Sequence, residues 1–247
     1  MPAHTDAYRE TAALRRAKNL AHQGPVRHFP SFPTALRLPI IASLIAGLAY
    51  PLLESHFGLL SGIFAKGLGV GLLALAAALI PGQRVLAAIM AAGALGDILL
   101  ELPEGLVPGG ASFAIGHVVA IAFYASNRRQ PALPLATIAA VALILYGLAM
   151  PALVLPAGAP RGALTLYAVL LCGMAASALI SRFPLRLTAA GALLFVLSDT
   201  FLVMGLGGRF VASTAFHGLI VWYAYYIGQF GIFAGIVSTS HDRTAAK

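Results

Sequence analysis

Negative charge is what this sequence has least of. Only eight of its 247 residues are Asp or Glu, against sixteen Lys and Arg. Charged residues make up 10% of the chain, where a soluble domain carries about 25%. That shortage excludes an ordinary soluble fold. Cysteine is nearly absent as well: Cys172 stands alone, so no intramolecular disulfide can form. Strict alternation of apolar and polar residues is missing, which excludes the strands of a membrane barrel. There is no Gly-rich phosphate loop, and no two His lie four residues apart as in zinc hydrolases. No apolar core follows a short basic start, so a signal peptide is not expected.

What is present is apolar. Hydrophobic residues reach 60% and the mean hydropathy is +0.88. Lipid offers no partner to open backbone groups, so long apolar runs of this kind must be helices. Eight segments emerge, roughly 36–53, 57–80, 84–102, 112–126, 133–155, 161–181, 187–207 and 212–237. Pro, Gly and charge clusters separate them, among them Pro81-Gly82-Gln83-Arg84, Pro103 to Gly110 and Asn127-Arg128-Arg129-Gln130. The expectation is an all-α integral membrane protein, a bundle of about eight transmembrane helices over residues 36–237. Residues 1–35 form a polar, basic tail, either disordered or carrying a surface helix over residues 8–21. Residues 238–247 form a short C-terminal tail.

The net charge of +8 would suggest nucleic acid in a soluble protein. Here it fits anionic headgroups and cytoplasmic loops, so membrane lipid and not nucleic acid is the expected partner. With eight spans the termini share a side. Thirteen of the sixteen Lys and Arg fall on that side, including Arg84, Arg128, Arg129, Arg182 and Arg186. Only Arg161 and Arg209 fall on the other, and Lys66 lies inside the second span. The bias places both termini in the cytoplasm, with the chain in a bacterial inner membrane.

Two carboxylates lie deep in apolar surroundings, Asp97 and Asp199. A charge at the bilayer centre costs ~2.5–3.5 kcal/mol, so each marks a functional-site hypothesis. Their surroundings echo one another. Ala91-Ala92-Gly93-Ala94-Leu95 precedes Asp97, and Ala189-Ala190-Gly191-Ala192-Leu193 precedes Asp199; His117 and His217 follow in the next spans. The offset of four helices suggests two parallel four-helix repeats.

Counting residues from the segment ends places Asp97, Asp199, Lys66, His117 and His217 in the same half of the bilayer, away from the arginine-rich side. Tyr223, Tyr225, Tyr226 and Gln229 follow down the last span. Tyr225 and Gln229, four apart, share a helix face, while Tyr223 belongs to the interfacial aromatic belt. A lone His is more often a packing residue than a catalyst, and Lys66 can snorkel to the interface. The carboxylates have no such ordinary explanation. A pair of them in a low-dielectric site suits acid–base chemistry, one as proton donor and one ionised beside Lys66. The other half of the bilayer reads as almost purely Ala, Leu, Val and Gly.

Lys66, Gly96-Asp97 with Leu99, Phe113-x-x-Gly116-His117, Ser198-Asp199 and Tyr225-Tyr226-x-x-Gln229 resemble the YhhN/TMEM86 lysoplasmalogenase family over roughly residues 37–237. Gly67 and Ala120 depart from its usual Pro and Tyr. The resemblance implies a metal-independent ether hydrolase that needs no cofactor. It would cleave the vinyl ether of a lysoplasmalogen, a lysophospholipid, to a fatty aldehyde and glycerophosphoethanolamine or glycerophosphocholine. Asp97 and Asp199 would share the acid and base roles. Tyr225, Gln229 and His117 would position water and glycerol oxygens, with Tyr226 and His217 in support, and Lys66 would bind the phosphate or tune a carboxylate. The resemblance also implies a site open to the cytosol, whereas the charge bias puts the polar residues in the opposite half. A small proton-coupled transporter built on the same Asp, Lys and His residues is the competing class. A structural membrane protein is a third, and it leaves the carboxylates unexplained. The sequence does not fix the oligomeric state.

Overall fold

The computed structural model describes residues 34–159 and 161–245. The expected tail over residues 1–35 lies outside them except for its last two positions. The described residues form eight helices in order: α1 Thr34–Phe57, α2 Leu59–Ala78, α3 Arg84–Leu100, α4 Leu106–Ser126, α5 Pro134–Val154, α6 Gly162–Leu179, α7 Ala190–Leu206 and α8 Thr214–Ala245. A π-helical turn, Leu185–Ala189, leads into α7. The described residues contain no strand, only one isolated bridge between Arg128 and Ser181. The protein is an all-α integral membrane bundle, as the composition requires. Among the described residues, seven helices are long and apolar enough to cross a bilayer. α3, with 17 residues, is about 26 Å long, and it carries Asp97.

Proline explains why α4 starts earlier than expected, whereas α1 runs four residues past the expected 53, through Glu54-Ser55-His56. α4 begins six residues before the expected 112, through Pro108. Pro108 falls in the first helical turn, where backbone N–H groups have no helical acceptor anyway, so its missing donor costs nothing. α1 continues through Pro39 and Pro51 to Phe57. Pro51 cannot donate to the carbonyl of Gly47 one turn back, and the indole Nε1–H of Trp222 on α8 donates to that carbonyl instead, at 2.7 Å. α8 runs past its apolar stretch, which ends at Thr239, to Ala245.

Backbone pairs tie the loops of each face together. The Arg129 N–H donates to Ile180 O and the Arg182 N–H to Asn127 O, both at 2.9 Å. Arg128, Arg129 and Arg182 therefore share one face. On the opposite face the Arg209 guanidinium donates to Leu153 O.

α8 is the organising helix, packing against α1, α2, α3 and α7. Buried residues make up 61% of its apolar window, against 22% for α5. Large apolar side chains such as Leu38, Leu135 and Leu166 face outward, as a lipid-facing surface requires. The α7–α8 contact depends on glycine. A Cβ on Gly191 would meet Gly228 O at 2.5 Å, and one on Gly228 would meet Gly191 O at 2.6 Å. Small residues let the two backbones touch. That close contact fixes the level of Asp199 on α7 against Tyr225 on α8.

Candidate active site

Asp97 sits on the inner face of α3 and is 2% exposed. Its Oδ2 accepts a 2.8 Å hydrogen bond from the Tyr225 hydroxyl. The Gln229 amide donates in turn to the Tyr225 oxygen at 3.3 Å. The shared helix face read from the sequence therefore exists, and it points at Asp97. Gly93, one turn before Asp97, makes room: a Cβ there would lie 2.9 Å from Gln229 Nε2 and 3.3 Å from the Tyr225 hydroxyl.

Asp199 is buried on α7. The Tyr167 hydroxyl on α6 donates to its Oδ2 at 2.5 Å. The neighbouring Ser198 donates to Val221 O at 2.8 Å, fastening α7 to α8 beside the carboxylate. Each carboxylate is thus held by a tyrosine from a different helix. Aromatic rings line the space between the two tyrosines. Phe195 meets Tyr225 edge-on, with centroids 4.9 Å apart, and meets His117 at 5.1 Å. Phe113 packs on Tyr225 at 5.7 Å, and His117 lies 5.6 Å from Tyr167.

His117 is buried among these rings, and its Nε2 has no hydrogen-bond partner. It borders a cavity of about 20 Å³, lined also by Gly93, Tyr124, Met174 and Gln229. That is room for about one water. The Tyr124 hydroxyl is likewise unpartnered. Tyr124 lies three residues before Asn127, so the cavity extends the polar site toward the arginine-rich face. The sequence gives that half as almost purely apolar.

Lys66 approaches from α2. Its ammonium pairs with Glu101 Oε1 at 2.5 Å, and both side chains are 15% exposed. It also lies over the rings of Tyr50 and Trp222, at 5.5 and 5.8 Å from their centroids. The cation therefore contacts Glu101, not one of the two aspartates. Glu101 was missed because it falls at the very end of the expected segment 84–102, next to the Pro103 break. Its spacing of four from Asp97, on one helix face, was the available signal. Tyr167 was missed because one tyrosine in an apolar span reads as an interfacial anchor.

Two expected supporting residues stand apart from the carboxylates. Tyr226 turns to α1 and α2: its hydroxyl donates to Ser43 Oγ at 2.9 Å, and Ser43 donates to Gly69 O at 2.5 Å. His217 lies at the α7–α8 turn. Its Nδ1 accepts from the Val211 N–H at 3.2 Å, and its Nε2–H donates to Phe201 O at 2.8 Å. Both ring nitrogens are used, so His217 shares a sequence position with His117 but not its surroundings. Among the described residues no three His, Cys, Asp or Glu side chains converge as metal ligands.

These features define a polytopic helical membrane protein with an internal site of two tyrosine-held carboxylates, an aromatic lining and an ion pair at one end. The model of the YhhN family matches residues 61–236, a stretch that contains every one of these side chains except Tyr50. The chain belongs to the YhhN family. No curated protein and no solved structure matches it.

Proposed function

We propose that the protein is a lysoplasmalogenase-like hydrolase that cleaves the vinyl ether of a lysoplasmalogen. The observation that carries this reading is the pair of buried carboxylates, Asp97 and Asp199, each held by a tyrosine on either side of one aromatic lining.

Vinyl ether hydrolysis begins when an acid delivers a proton to the β-carbon of the double bond. The π electrons form the new C–H bond, and the α-carbon becomes an oxocarbenium ion. Water adds to that carbon as a base removes its proton. The hemiacetal then collapses: the base passes its proton to the departing glycerol oxygen, the hemiacetal hydroxyl passes its proton to the carboxylate that acted first as acid, and the aldehyde is released. One water is consumed and the protein ends unchanged. The steps require a desolvated acid, an anion facing the developing cation, and a base for water. Asp97 and Asp199 share these roles. Tyr225 and Tyr167 hold one oxygen of each carboxyl and so set the direction of the other. The rings of Phe113 and Phe195 add π-electron density beside the cation and keep bulk water out. The cavity at His117 and Gln229 is a place for the attacking water. Lys66 binds the phosphate of the headgroup.

Both termini are placed in the cytoplasm on the charge bias, and protection of terminal tags from protease in oriented vesicles tests that side. The activity is tested with purified Asp97→Asn and Asp199→Asn in proteoliposomes, following aldehyde release from a lysoplasmalogen. Loss of release in both variants is expected; near-normal turnover in both would sink the mechanism. Substrate uptake without aldehyde release by the unaltered protein would establish a transporter instead.

A further inference from the structure

The ion pair at the end of the site sits in an unusual setting. Lys66 and Glu101 are each 15% exposed, so the pair is largely desolvated and still reachable from outside. A desolvated pair of this kind is often no more stabilising than apolar residues of the same volume. The surroundings add chemistry that an ion pair alone does not need. Tyr50 and Trp222 lie with centroids 4.4 Å apart and present their rings to the Lys66 ammonium. The Tyr50 hydroxyl reaches Glu101 Oε1 at 3.4 Å, and the exposed Glu54, one turn along α1, lies near the same hydroxyl. A carboxylate against aromatic faces is the arrangement that binds alkylammonium and quaternary ammonium groups.

We propose that Lys66, Glu101, Tyr50 and Trp222 form a site for a zwitterionic phospho-base headgroup, an inference that rests on the lysoplasmalogen reading of the carboxylates. Lys66 and Glu101 are a cation and an anion in contact; a phosphoethanolamine or phosphocholine group is an anion and a cation joined by two carbons. Binding exchanges partners. The phosphate takes Lys66 from Glu101, and the freed Glu101, with the faces of Tyr50 and Trp222, takes the ammonium. No charge is left unpaired at either stage, so the exchange avoids the large cost of a lone buried charge. The spacing agrees. Glu101 caps the C-terminus of α3 four residues after Asp97, a rise of about 6 Å, and a glycerol bridge separates the ether from the phosphate in the same way. With the ether at Asp97, the headgroup lies at Lys66 and Glu101.

Trp222 is the only tryptophan in the chain, so tryptophan emission reads this site alone. The test uses the full chain in phosphatidylglycerol vesicles, which add neither protein nor zwitterionic headgroup, titrated with four single-chain ethers that lack a vinyl bond: 1-O-alkyl glycerophosphocholine, 1-O-alkyl glycerophosphoethanolamine, 1-O-alkylglycerol 3-phosphate and 1-O-alkylglycerol. The two zwitterions should change Trp222 emission saturably. The phosphate without an ammonium should bind about tenfold more weakly, and the alkylglycerol more weakly still. Glu101→Gln should abolish the preference for zwitterion over bare phosphate, and Lys66→Met should abolish dependence on phosphate. Should a single variant fail to fold, Lys66→Met combined with Glu101→Gln leaves no charge unpaired and must erase both preferences. Equal affinity for all four ligands, or a wild-type preference surviving in Glu101→Gln, overturns the proposal. None of the ligands is cleavable, so the outcome is separate from the activity. Headgroup-selective binding without aldehyde release from the vinyl analogue rejects the hydrolase reading alone, and release with headgroup-blind binding rejects the headgroup site alone.

Discussion

The Tyr225 hydroxyl donates to Asp97 Oδ2 at 2.8 Å, joining α8 to α3 across 128 residues of sequence. Tyr167 makes the equivalent contact with Asp199 from α6. Neither tyrosine supplies the reacting proton in the proposed mechanism; each fixes the direction of a carboxyl group. Tyr225→Phe and Tyr167→Phe keep the ring and remove only the donor. Each should lower kcat about a hundredfold, the cost of a small misplacement at a reacting centre, and change KM little. Aldehyde release over a range of substrate concentrations separates the two constants. A rise in KM at constant kcat would assign the tyrosines to binding instead.

Gly93 is the gap that allows this arrangement. Replacing it with Ala puts a Cβ 2.9 Å from Gln229 Nε2, at the far end of a flexible side chain. The bundle can accept that by turning the amide away, so the thermal midpoint of Gly93→Ala should move by only a few degrees. Activity should fall more steeply, because Gln229 loses its bond to Tyr225. Measuring both on one preparation is the check, and a parallel loss of the two would mean that Gly93 serves packing alone.

Asp97 and Asp199 were legible in the sequence because a carboxylate in an apolar run is costly enough to need a reason. The Tyr225–Gln229 face was legible because helical spacing fixes which residues share a side. What the sequence does not carry is rotation about the helix axis and the choice of neighbour. Lys66 was expected beside an aspartate and contacts Glu101, since the partner depends on how α2 and α3 cross. Tyr167 lies in an apolar helix with no charged residue, beside only the hydroxyls of Thr165 and Ser177. The two histidines match in sequence, yet one is buried with a free Nε2 and the other closes a loop. The first turn of α4 was hidden by Pro108, because proline breaks a helix interior but not its start.

That contrast gives a third expectation. His217→Ala removes two hydrogen bonds that hold the α7–α8 turn, which should cost about 1–3 kcal/mol of stability while folded protein keeps most of its turnover. His117→Leu should do the reverse: no hydrogen bond to the protein is lost, the fold holds, and turnover falls as the cavity loses a polar wall. Thermal unfolding and aldehyde release on both variants decide the matter. Equal behaviour of the two would remove His117 from the site.

The Pro51–Trp222 pairing is open to a double-mutant cycle. Trp222→Phe should destabilise the protein by about 1–2 kcal/mol, because Gly47 O then has no donor in an apolar environment. Pro51→Ala restores the backbone N–H that α1 lacks at that point, so Gly47 O regains a helical partner. In the Pro51→Ala background, Trp222→Phe should cost measurably less. The difference between the two costs is the coupling energy, read from unfolding midpoints in a single detergent. Additive effects would mean that Trp222 acts on stability through its rings, stacked on Tyr226 at 5.8 Å, and not through its donor. The cycle also separates the two parts assigned to Trp222. Its N–H points to α1 and bears on stability, while its ring face meets Lys66 and bears on the headgroup.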